Sequence, residues 1–183
     1  MSGASYLAYR RFEDVFDALA QGTADKAVVP YVNSLAGPVT MSCALLAQRP
    51  VRVLDEVMLR ISHALIALPG TATSELRYVL SHPVALRQCR QFFRQHPHLV
   101  MVAMDDTAGS VAYITARGKR HSAAIAGGHC AALYGAQVLV DAIEDSPENY
   151  TQFLLIEPCR SAGARGSGLE FDARFERPPA RRA

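Results

Sequence analysis

The chain has 183 residues, half of them hydrophobic and a fifth charged, which is the composition of a folded globular protein rather than of a disordered or fibrous one. A formal net charge of +2 is too small to argue for nucleic acid, and the four cysteines lie too far apart for a metal or redox motif with each other or with the six histidines. No segment reaches transmembrane length and the opening residues lack the apolar run of a secretory signal, so neither membrane nor nucleic acid is expected as a partner and a reducing cytoplasm is the expected compartment.

In chain order, YLAY at 6–9 reads as a short strand. FEDVFDALAQG, 12–22, places Phe12, Val15, Phe16 and Leu19 at helical spacing and ends on Gly22, which predicts an amphipathic helix. KAVVP, 26–30, is a buried strand, and YVNSLAG is a loop leading to a helix over 38–48, where Cys43 behaves as a small buried hydrophobe. VRVLDEVMLRISHALIAL, 51–68, is rich in β-branched and apolar residues and predicts two strand segments, closed by Pro69-Gly70. His63, within that apolar run, reads as a packing histidine.

The second half opens with VLSHPVALRQC, 79–89. Leu76, Val79 and Leu80 form a short strand, Ser81 is placed to cap the next helix, and Pro83 suits its first turn. Leu86, Cys89, Phe92 and Phe93 continue that helix. HLVMVAM, 98–104, is a strand, followed by Asp105 and Asp106 as caps and a helix over 108–117. HSAAIA, 121–126, is a strand that turns at Gly127-Gly128 into a short helix at 129–134; AQVLVDAI is a strand or strand–turn, and NYTQFLLIE, 149–157, is the last strand. From Cys159 onward the pattern dissolves into a mobile basic tail. Strands alternating with helices predict an α/β fold with largely parallel pairing. Ligands in such sheets collect where strand ends meet helix starts. The polar corners fall at those ends: Asn33-Ser34, Ser81-His82, Asp106-Thr107, Gly127-Gly128-His129 and Tyr150-Thr151-Gln152.

FEDVFDALAQGTADKAVVPYVNSLAGPVT, ISHALI, VLSHPVALRQC, DDTA, AAIAGGHCAALYGAQVL and PENYTQFLLIE occur in that order. Together they resemble the catalytic domain of prephenate dehydratases over about residues 10 to 157. The resemblance implies a two-lobed, periplasmic-binding-protein-like (type II) α/β fold with mixed, largely parallel sheets and the site in an interlobe cleft. The lobes would be residues 1–65 with 135–157, and 70–134. It also implies dimers, a small carboxylate substrate, and no metal or organic cofactor. The family reaction removes water and CO2 from prephenate to give phenylpyruvate.

Residue by residue, Asn33 and Ser34 match the end of the family's Glu-Asn-Ser loop, and Ser81, His82 and Pro83 match its Ser-His-Pro corner. Gln88 matches the glutamine of the following helix. Thr151 and Phe153 match the outer residues of Thr-Arg-Phe, whose threonine is the family's key catalytic group. The resemblance thus implies Thr151 as proton donor or hydroxyl binder, with Ser81 and Asn33 holding a carboxylate or carbonyl and Gln88 orienting the ligand. Hydroxyl and amide donors suit a substrate with carboxylates and a hydroxyl that must leave. Departures fall at the same places. Val32 replaces the glutamate, Gln152 the arginine, Asp106 a serine before Thr107, and Gly127-Gly128 a Ser-Glu pair, with His129 following as a candidate new acid or base.

Three readings stay open. One is a family enzyme with altered substrate or outcome, recruited to secondary metabolism of a prephenate-decarboxylase or tropone/tropodithietic-acid type. Another is a shortened but ordinary prephenate dehydratase, lacking the family's opening strand and Gly-Pro-Glu-Gly-Thr-type loop. The last is a non-catalytic protein that binds a small anion. Nothing after residue 157 resembles the regulatory ACT domain, so feedback by phenylalanine is not expected.

Overall fold

The computed structural model describes residues 3–159. In chain order the elements are α1 (Phe12–Gln21), β1 (Ala27–Asn33), β2 (Gly37–Pro38), α2 (Thr40–Gln48), β3 (Val51–Arg60), β4 (Ala64–Ala67), β5 (Tyr78–Ser81), α3 (Pro83–Arg87), α4 (Arg90–Gln95), β6 (Val100–Ala103), α5 (Thr107–Ala116), β7 (Ser122–Ala126), α6 (His129–Leu133), β8 (Gln137–Val140) and β9 (Tyr150–Pro158). They divide into two compact units, one running to Arg60 and resuming at Tyr150, the other Ile61–Asn149.

The first unit is an antiparallel sheet of order β2-β1-β9-β3. Helix α1 forms because Phe16 and Leu19 share a buried face, and it ends at Gly22, whose φ of 74° lets its N–H reach back to Ala18 and Leu19. Phe16, Leu19 and Leu45 pack with Val29, Leu154 and Ile156 from the strands. Each such fully buried side chain stabilises the unit by about 1.5–3 kcal/mol. Strand alternation turns the next residues to the opposite face. There Val28 lies across from Leu155, Val57 from Phe153 and Leu59 from Thr151. That face stays largely bare: Val28, Val57 and Leu59 are 60%, 48% and 49% exposed.

The second unit is a mixed sheet of order β6-β5-β7-β4-β8, in which β5 runs parallel to β6 and β7 while β4 is antiparallel to β7 and β8. Every residue of β4 and β7 is buried. Leu86, Phe92 and Phe93 cover one face, and Val111, Ile114 and Cys130 the other. Alanines at 64, 67, 123, 124 and 126 let the helices approach both faces closely.

Several expectations are corrected here. Residues 6–9 form no strand: they pair with none of the described strands, and Tyr6 is 92% exposed, so the apolar YLAY run has no packing partner to hold it extended. β1 runs on through Val32 and Asn33, which pair with Gln152 and Thr151, so Asn33 ends a strand rather than sitting in a loop. Pro30, which has no N–H to give, falls where the β1–β9 register shifts. Among the described residues parallel pairing is confined to β5 with β6 and β7. β8 pairs with β4, so residues 135–149 join the second unit and not the first. The helix expected after Pro83 is two short ones, because the Asp145 carboxylate takes the N–H groups of Arg90 and Gln91 and starts α4 afresh. Finally, Ser81 is the last residue of β5 and donates to the Ile125 carbonyl at 2.6 Å; the cap of α3 is His82, whose Nδ1 accepts from the Val84 N–H. The expected basic tail lies outside the described residues apart from its first, Cys159. Among the described residues no helix is long and apolar enough to cross a membrane.

Candidate functional site

In the first unit the sequence-predicted residues meet where β1 ends and β9 begins. Asn33 Nδ2 donates to Thr151 Oγ1 at 2.9 Å and to the Tyr150 carbonyl at 3.0 Å, while its Oδ1 accepts from the N–H groups of Leu35 and Ala36. Ser34 clasps the same turn: its N–H donates to the Tyr150 carbonyl and its Oγ accepts from the Tyr150 N–H, both at 2.9 Å. The amide of Asn33 therefore fixes the Thr151 rotamer. Because Thr151 Oγ1 already accepts a proton from Asn33, its own hydroxyl proton is directed at some other acceptor. Thr151 is buried, where such a donor is stronger than in water.

Phe153 shares the face of Thr151, half-buried, and Gln152 projects from the opposite one. There Gln152 Nε2 donates to Glu56 Oε2 at 2.6 Å. Val32, likewise on the helix-covered face, is buried in the core.

In the second unit, Ser81, Thr107 and His129 stand at the C-terminal ends of the parallel strands β5, β6 and β7, where α3, α5 and α6 begin. Ser81 is fully buried with its proton held by Ile125, which leaves its oxygen as an acceptor. His82 is half-buried, its Nδ1 occupied as a cap. Thr107 opens α5 behind Asp106, whose carboxylate accepts the Gly109 N–H. His129 is exposed, its ring folded over Gly127: a Cβ on that glycine would come within 2.7 Å of His129 Cε1. His129 Nε2 lies 3.6 Å from Cys130 Sγ. Burial and then the charge of Asp106 push the Cys130 thiol up, so this pair is no thiolate nucleophile.

Gln88 is drawn into a cluster that the sequence did not reveal. Its Oε1 accepts from Asn149 Nδ2 at 3.0 Å and lies 2.9 Å from His63 Nε2, and its carbonyl accepts from the Asp145 N–H. Glu144 adds bonds to the Ser62 hydroxyl and the His63 N–H. Two buried polar side chains, His63 and Asn149, are thus tied to one amide oxygen. The available signal was Asn149 itself, an amide at the head of an otherwise apolar strand. Next to this cluster, burial first and the charges of Asp145 and Glu144 second push the Cys89 thiol up to about 12.

Comparison with known proteins places the chain in a family. The sequence profile of a family described as prephenate dehydratase matches residues 1–160. Arogenate dehydratase 1 of Petunia hybrida is 39% identical over 147 residues, 80% of this chain and 35% of that protein. The chain thus spans about a third of the length of the curated relatives it matches. Among solved structures, prephenate dehydratase of Arthrobacter aurescens, in complex with L-Phe, superposes with a TM-score of 0.74 at 29% identity, over 84% of this chain and 52% of that one. GqqA, described as a novel type of quorum quenching acylase, superposes with a TM-score of 0.76 at 29% identity, over 88% and 58% of the two chains.

Proposed function

The chain belongs to the prephenate dehydratase family, and from that premise we propose that it is a lyase that removes water and CO2 from prephenate or its amino-acid counterpart arogenate. The observation that carries this reading is the Thr151 hydroxyl, held by Asn33 with its proton available to an oxygen that must leave. In the reaction the bond from the ring to its carboxylate breaks and the electron pair enters the ring. The ring C–O bond breaks on the other side, and the departing oxygen leaves as water, with one proton taken up from solvent overall. Thr151 donates the hydrogen bond that stabilises the departing oxygen, and Asn33 keeps that hydroxyl in place. Aromatisation supplies driving force, so positioned donors suffice and no covalent intermediate is needed.

The finer reading, a redirected substrate or outcome serving a secondary pathway, draws its support from the replacement of the family arginine, glutamate and serine by Gln152, Val32 and Asp106. The positions of two of these weaken it. Gln152 bonds to Glu56 on the face opposite Thr151, and Val32 packs in the helix-side core. Ordinary dehydratase chemistry is therefore the reading we favour.

The test is to incubate the full chain with prephenate, and separately with arogenate, and identify products by chromatography with mass detection. Aromatic product is expected, phenylpyruvate from the first and phenylalanine from the second. Thr151→Ala should lower its rate by about 100- to 10,000-fold, the usual worth of a positioned proton donor, and Thr151→Ser should recover part of it. A non-aromatic decarboxylated product would establish the redirected outcome. Absence of turnover with both substrates would leave a binding role.

A further inference from the structure

We propose a second small-molecule site in the Ile61–Asn149 unit, at the end of its parallel strands opposite Ser81, built to hold a small aromatic carboxylate. Helix α5 starts where β6 ends and runs back along the sheet, covering Leu80, Val102 and Ala124. It stops short of the strand starts. Lys119 N–H donates to the Ile114 carbonyl and Gly118 N–H to that of Thr115, with Gly118 at a φ of 58°, and this closes the helix with a tight reversal. The strand starts, the edge of α5 and the reversal border an open cavity of about 570 Å³ that reaches in to Leu80 and Val102, within the range of small-ligand pockets.

The chemistry of its walls is specific. Leu80 and Val102 form an apolar floor, and Tyr78 and Tyr113, 46% and 40% exposed, stand at the sides. Lys119, Arg120 and His121 follow one another along the rim, and no acidic side chain lines the cavity. The rim is fixed: Ser122 N–H donates to the Lys119 carbonyl, and the His121 carbonyl accepts from the N–H groups of Arg77 and Tyr78. His121 Nδ1 lies 3.1 Å from the Glu75 carbonyl, which can only accept, so this nitrogen carries the proton and Nε2 is left for another partner. The Glu75 carboxylate bonds instead to the Ala72 N–H. An apolar floor flanked by two phenol rings takes a flat ring, and two adjacent cations on a backbone-fixed rim take the carboxylate attached to it. The cavity reaches from Tyr78 to Leu80, three residues and one residue before Ser81, but strand alternation turns Tyr78 and Leu80 to the α5 face and Ser81 to the other, so it is separate from Ser81.

The experiment is a titration of the full chain, isotope-labelled, followed through its assigned backbone amide signals, with benzoate, benzyl alcohol and inorganic phosphate as probes. Benzoate should shift the amides of Tyr78 and residues 118–122, with benzyl alcohol and phosphate each binding more weakly. Lys119→Ala with Arg120→Ala should weaken benzoate about tenfold, the lower end for charge-assisted bonds at an exposed rim, and Tyr113→Leu should weaken it while keeping the apolar volume. Both variants must give a native amide spectrum. Cations that only offset the dipole of α5 would make the double variant less stable with benzoate binding unchanged; that result overturns the site. So would benzoate shifts confined to Ser81, His129 or Thr151, or phosphate binding as tightly as benzoate.

Discussion

The hydroxyl of Thr151 depends on a side chain 118 positions earlier, so the two should fail together. Asn33→Ala removes the bond that sets the Thr151 rotamer along with the bond to the Tyr150 carbonyl and two bonds within its own turn. We expect kcat to fall about 10- to 100-fold, as for loss of one or two orienting hydrogen bonds, with a smaller change in KM. Combined with Thr151→Ala it should cost little beyond the single threonine change, because both act on one group. Steady-state kinetics of the two single variants and the double variant check this. Cys89 gives a prediction of a different kind. Its thiol is held neutral to about 12 in the fold, above the ordinary thiol value of 9.0. The unfolded chain therefore loses this proton first as pH rises. The contribution is whole below pH 9 and declines from there towards pH 12. Urea unfolding at pH 8 and pH 10.5 should show a loss of stability that is smaller in Cys89→Ala. Thr151, Asn33 and Ser81 were all legible in the sequence as motif residues. Who bonds to whom was not legible, since Ile125 and Thr151 reach Ser81 and Asn33 only through strand pairing that no local pattern encodes.

At the level of single elements, α5 shows how a glycine and a cap serve one another. Asp106 accepts the Gly109 N–H, and a Cβ on Gly109 would come within 2.4 Å of Asp106 Oδ2. Gly109→Ala should therefore displace the carboxylate and cost about 1 kcal/mol, the usual worth of an N-cap. In an Asp106→Ala background the same change should be neutral or stabilising by up to about 1 kcal/mol, because alanine is the better helix former. Chemical denaturation of the four proteins gives this cycle directly. The cap was legible, as an aspartate ahead of a helical pattern. The break between α3 and α4 was not: the apolar spacing of Leu86, Cys89, Phe92 and Phe93 suits one helix, and the competing acceptor, Asp145, lies 55 and 54 residues from the amides it holds. The extension of β1 through Asn33 was missed for a related reason, since NSLAG has the composition of a turn and its strand character comes only from pairing with β9.

Taken whole, the molecule's alternation of strands and helices was readable, and so was the family, because collinear motifs along the chain survive the local substitutions. Strand direction was not, since alternation alone does not say that β9 returns between β1 and β3. The all-buried pair β4 and β7 makes the Ile61–Asn149 unit sensitive to its centre: Leu65→Ala should cost about 2–5 kcal/mol, as for a fully buried leucine, measured as a lowered urea midpoint with an unchanged slope. The bare face of the first unit's sheet bears on how any such loss can be followed. Val28, Val57 and Leu59 give an environment-sensitive dye somewhere to settle on the native protein. A dye-based melting curve will then begin bright, and its rise on unfolding will be compressed. With seven tyrosines and no tryptophan, intrinsic emission offers only a weak substitute. Far-ultraviolet circular dichroism, which reads the backbone and is blind to surface apolarity, is the signal on which stability comparisons for this protein should stand.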